Sequence, residues 1–227
     1  MDGQPSLVER APHPPDRLSR SIDRIVYWLA RHWLAVFSVA LFLYIAVPTS
    51  APILMQAGKT GPARLIYMVY RGLCHQLPER SYFLFGPQVT YSLAQLEAEN
   101  VLPGESILQR RDFIGDPAHG YKIALCQRDL AIYGSMLVVG LGYGLVRRRR
   151  PIRPLKLPVF TLFLLPIAVD GLSQLPGWRE STWVLRSVTG ALFGIGLVWL
   201  AYPHVQAAMD EVVPRGENAP TKLDKTV

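Results

Sequence analysis

Trp33 to Val47 reads WLAVFSVALFLYIAV, fifteen residues without a charge, and apolar sequence continues past Pro48 to about Met55. A helix of that length rises at least about 30 Å, the thickness of the hydrocarbon core of a bilayer. The run therefore predicts a transmembrane helix, opened by an interfacial aromatic and closed by Pro48, Pro52 and Gly58. Two runs of the same kind follow, Leu157 to Leu175, bent at Pro166, and Thr182 to Tyr202. A further long helix is expected from Asp116-Pro117, which has the form of an N-cap followed by proline at the first helical position, to about Val146. The fold class is thus all-α, a polytopic helical membrane protein.

Composition points the same way. Half of the 227 residues are apolar, and the net charge of +7 comes mostly from arginines in clusters that flank the apolar runs. Basic residues so placed report topology, and the aromatic residues lie inside apolar runs instead of alternating with the basic ones. A nucleic-acid partner is not expected; the lipid bilayer is, and a homo-oligomer or a membrane partner protein stays open. The first 24 residues are polar and proline-rich with no small-residue cleavage site after the first apolar run, so that run is expected to stay as a signal-anchor. Residues 1–20 and 204–227 are expected as disordered tails around a helical membrane domain, 21–203. Between Ile22 and Arg31 the apolar spacing fits either a short helix on the anionic leaflet or the first turns of the next helix.

One segment breaks the pattern. Pro62 opens the run ARLIYMVYRGL, about eleven residues that are helical in spacing but rise only about 16 Å, half of a bilayer core. Lys and Arg number six between Arg147 and Lys156 and five in the N-terminal flank, so both regions are predicted to be cytoplasmic. Both can lie inside only if an even number of crossings separates them. Four spans are therefore expected, with Pro62 to Ser81 as a short re-entrant or interfacial helix and a polar extracytoplasmic insert at about 82–121. The alternative is five spans with an external N-terminus.

The short segment ends in Arg71 to Ser81, RGLCHQLPERS. Under the four-span topology Asp170 lies about 10 Å below the outer boundary, level with Arg128 and Arg186. Ionisable groups at that depth are costly unless paired, so Asp170 is expected to pair with Arg128 or Arg186. Gln174, one turn on, extends the network toward Arg179 and Glu180, while Cys74, His75, Gln76, Arg80 and Ser81 arrive at the same level from the short segment. Cys126, Asp129 and Tyr133 share a helical face by their spacing. Gly140 with Gly144 and Gly190 with Gly194 fit close helix packing.

CHQLPERS, the loosely matching CQRDLAIYG and then DGLSQLPGWRESTWVLRSVTG together resemble an integral membrane family of bacteria and archaea, the domain of unknown function 2085. Its pattern is similar to CHQxPxRSF, CxRCTGIYxG and PxxxDGxTQxxGxRESTNxLRxxTG, and the likeness covers Arg71 to about Trp199. It implies an integral membrane protein and carries no chemistry with it. A Cys-His pair with two further cysteines, as in the family pattern, suits tetrahedral zinc. Here Asp129 stands where the pattern has its last cysteine, leaving Cys74, His75, Cys126 and Asp129 as the candidate ligands. Adjacent Cys74 and His75 can share one ion only from a non-helical turn, which Pro78 permits.

The expected function is a membrane protein with a polar cluster near its extracytoplasmic face that binds a metal, a lipid headgroup or a partner. Alternatives are a redox or thiol enzyme using Cys74, a Cys74–Cys126 disulfide staple, and a small transport or channel subunit.

Overall fold

The computed structural model describes residues 17–174 and 180–213. Among these residues seven α-helices, a 3-10 turn at Pro78–Arg80 and three short strands follow in chain order: α1 Arg17–Gln56, α2 Thr60–Tyr70, β1 Ser81–Leu84, α3 Leu93–Ala98, α4 Ile107–Arg110, β2 Gly115–Asp116, β3 Gly120–Cys126, α5 Gln127–Val146, α6 Leu157–Leu172 and α7 Trp183–Val212. Two compact units are present, residues 34–206 and a second made of residues up to Trp33 and from Ala207 onward. Everything below about packing concerns the first.

Among the described residues three helices are long and apolar enough to cross a membrane, Ser21–Gln56, Gln127–Val146 and Trp183–Val212, and Leu157–Leu172 is a shorter apolar one. These four are the expected spans. At 16 residues, α6 rises about 24 Å, somewhat less than a full core. The burial is that of a protein in lipid: Val138 is 70 % and Leu162 64 % exposed, whereas Asp170 is 1 % and Arg186 6 % exposed. Apolar side chains face outward and charges inward.

The first span is one continuous helix, with no break between Ile22–Arg31 and the apolar run. Pro48 and Pro52 sit inside it and are buried. Pro48 has no N–H for the carbonyl of Tyr44, and that carbonyl instead accepts the Tyr70 hydroxyl of α2 at 3.0 Å. Thr49 caps the next carbonyl, Ile45, at 2.8 Å. A freed backbone group thus becomes the point where the short helix docks. Gly58 turns the chain at φ +73°, and α2 lays Ala63, Tyr67 and Tyr70 against α1 and β3 in one core with Ala51, Ile123 and Leu125. Eleven residues cannot cross, as expected.

The region 81–126 holds what the sequence did not announce. β3 is the centre of an antiparallel sheet in the order β1-β3-β2, with Ser81 opposite Cys126 and Phe83 opposite Lys122. The helix expected from Asp116 is therefore wrong in its first ten residues. Asp116 does cap, but it caps a hairpin turn, its carboxylate accepting the N–H groups of Ala118 and His119. Gly120 then takes φ +78° against the backbone of Gly86, so the chain enters a strand. Short helices follow Ser92 and Ser106, each opened by a reciprocal Ser-Gln capping box.

α7 continues to Val212, past the expected boundary at His204. Residues 205–212, VQAAMDEV, hold strong helix formers and no breaker before Pro214. α1 likewise begins at Arg17. The rest of both expected tails lies outside the described residues.

Candidate functional site

Each part of the site is fixed by a local rule. α2 ends at Arg71, and the Cys74 N–H still reaches the Tyr70 carbonyl at 2.9 Å. Beyond Cys74 the chain leaves the helix, and Gln76 adopts φ +50°. The Gln76 amide pins this turn by donating to the carbonyls of Tyr67 (3.0 Å) and Ala124 (3.1 Å). Lys122, wholly buried, secures the same turn, its ammonium donating to the carbonyls of Gln76 at 2.6 Å and Arg111 at 2.8 Å. Burial, then the charge of Arg71, pushes its pKa down to about 7.

The turn sets Cys74 and His75 beside the end of β3. The ligand atoms of Cys74, His75 and Cys126 lie within 4.8 Å of one another. His75 Nδ1 is 3.9 Å from Cys74 Sγ, and the Cys126 N–H donates to the same sulfur at 3.3 Å. Cys126 is the N-cap of α5, its sulfur accepting the Asp129 N–H at 3.5 Å. Both thiols are free and buried. Hydrogen bonding from Cys126, then His75 and the Gln76 N–H, holds the Cys74 thiol well below its ordinary range against the opposing effect of burial. Cys126 moves the other way, raised by its neighbour and by burial.

A cavity of about 210 Å³ opens beside this pair, lined by Leu73, Cys74, His75, Arg80, Cys126, Arg128, Asp129 and Arg186. Arg128 is the second residue of α5, not deep along a helix, because α5 starts only at Gln127. Its guanidinium pairs with Asp170 near the C-terminal end of α6, one of the two pairings expected. Arg186, four residues into α7, donates to the Glu79 carbonyl at 3.0 Å and to the Gln127 side-chain oxygen at 3.3 Å.

Not every candidate residue reaches the cavity. Gln76 clamps the turn, and Ser81 donates to the Leu77 carbonyl at 2.9 Å and accepts from Gln127 at 3.0 Å. Gln174 bonds the Asp170 carbonyl at 2.5 Å. Glu180 lines a separate cavity of about 370 Å³, together with Gln127 and with Arg186, which borders both cavities. Arg179 lies outside the described residues. Lys122 and Gln127 were missed; both sit where a strand and a helix start behind the expected helix, so no periodicity marked them as buried.

Residues 116–200 match a family described as "Predicted membrane protein (DUF2085)". An uncharacterized protein of Methanocaldococcus jannaschii is 27 % identical over 183 residues, which covers 77 % of this chain and 93 % of that protein. No solved structure matches. The resemblance drawn from the sequence blocks is thereby supported, and the matched segment includes Cys126, Arg128, Asp129, Asp170 and Arg186.

Proposed function

We propose that this protein crosses the membrane several times and holds one soft divalent metal ion, zinc by ligand type, at the end of α5 that meets the sheet. The observation that carries this is the convergence of Cys74, His75 and Cys126 within 4.8 Å, with Asp129 on the same cavity. Two sulfurs, an imidazole and a carboxylate form a donor set that favours zinc over oxygen-seeking cations. The carboxylate is the exchangeable member, which would leave a position for a ligand and place the site closer to a catalytic or sensing centre than to a structural staple. Asp129 would hold the ion as fourth ligand, and Gln76 and Lys122 would fix the turn that presents Cys74 and His75.

The orientation follows from charge. Arg147 to Arg150 stand at the opposite end of α5, one crossing of about 30 Å away. With that cluster cytoplasmic, the metal site faces the extracytoplasmic side.

Cobalt titration of the reduced, tag-free protein tests the site. Thiolate-to-cobalt charge-transfer absorption is expected for the unaltered chain, weaker in Cys74→Ser and in Cys126→Ser. Identical spectra in all three would reject the ligand set.

A second reading is a reactive Cys74 thiol, supported by its place on the cavity with His75 Nδ1 3.9 Å away and by its lowered pKa. Fast alkylation of Cys74 in metal-free protein near neutral pH, slowed by added zinc, is the expected outcome.

A further inference from the structure

The cavity that touches the two cysteines is also lined by three guanidinium groups, from Arg80, Arg128 and Arg186. In each the Nε is buried and has no hydrogen-bond partner. A buried guanidinium donor left unmade costs free energy, and three around one space are hard to explain by packing alone. Only Arg128 has a carboxylate partner, Asp170. Among the described residues no carboxylate pairs with Arg80 or Arg186, and Glu79, the nearest acid in sequence, is engaged by Arg110 at 3.2 Å. Arg186 is 6 % exposed, so water does little to solvate its charge.

Three guanidinium groups brought together on one space raise the positive potential there, which favours an anion between them. The N-terminal ends of α5 and α7, which carry Arg128 and Arg186, add to the positive potential at this level.

We propose that this cavity binds a phosphate group through Arg80, Arg128 and Arg186. Guanidinium forks match the oxygens of a tetrahedral phosphate, and 210 Å³ admits one with room to spare. The phosphate is either free or part of a lipid headgroup. The proposal shares its cavity with the metal site but does not rest on it, since all three arginines are in place without an ion.

Thermal unfolding of the full-length protein in detergent, stripped with EDTA, tests the anion site apart from the metal. Inorganic phosphate, compared with chloride at equal ionic strength, is expected to raise the melting temperature. Arg80→Gln, at a partly exposed position at the end of a single 3-10 turn and outside the membrane-spanning helices, is expected to weaken apparent phosphate affinity about tenfold or more, and Arg186→Gln to do the same. Arg149→Gln is expected to leave it unchanged. If short-chain phosphatidic acid in the micelle stabilises the protein, dependent on Arg80, while inorganic phosphate does not, the ligand is a lipid headgroup and the proposal stands. No shift with either probe, or shifts equal in the unaltered chain and Arg80→Gln, would overturn it.

Discussion

Asp170 is 1 % exposed and holds Arg128 between α6 and α5. Asp170→Ala would leave a guanidinium uncompensated and is expected to cost about 3 kcal/mol, measured by equilibrium unfolding in mixed micelles. This pair was legible in sequence because an acid inside an apolar run has few partners at its depth. Gln76 and Ser81 were not: their side chains bond backbone carbonyls, and nothing in a residue's own identity tells which carbonyl it will meet. A second charged cluster joins the insert. His119 is flanked by Glu99 at 2.5 Å and Asp116 at 2.9 Å, and the hydrogen bond to Glu99, then that to Asp116, raises its pKa against burial. A raised folded-state pKa contributes stability that is complete below the unfolded value of about 6.5 and is lost as pH rises through the folded one. Melting temperature is therefore expected to fall as pH rises from about 6.5, and His119→Gln to flatten that slope. A slope unchanged by the substitution would remove His119 as its source.

Among the elements, α5 and α7 approach most closely at Gly190 and Gly194. A methyl on Gly194 would stand 2.1 Å from the Ser135 hydroxyl and 2.5 Å from the Ile132 carbonyl, which is backbone and cannot rotate away. Gly194→Val is expected to destabilise the helix pair by about 2 kcal/mol or more, read from the same unfolding curves. The spacing of these glycines was visible in the sequence; the partner helix was not. Tyr70→Phe removes the hydroxyl that satisfies the carbonyl freed by Pro48 and is expected to cost about 1 kcal/mol. Pro48 and Pro52 were read as closing the first span, whereas Pro48 lies inside α1 and creates a docking point. The sheet stayed hidden for a related reason: Asp-Pro is as good a hairpin cap as a helix cap, and only Gly120 decides between them. Because β3 ends at Cys126, the cysteine becomes the N-cap of α5 and meets Cys74 at the end of the central strand.

For the whole chain, the long apolar helices fix the class, and their outward apolar and inward charged residues agree with a bilayer around them. The convergence of the thiols and imidazole depends on the sheet, which is why sequence suggested four donors and could not show that Cys74, His75 and Cys126 come within 4.8 Å of one another. The most direct test is metal content by mass spectrometry of tag-free protein in detergent, paired with a thiol count under non-reducing conditions. About one zinc per chain is expected for the donor set described, lost in Cys74→Ser and in Cys126→Ser. No metal, with both thiols free to react or both lost to a disulfide, would contradict it.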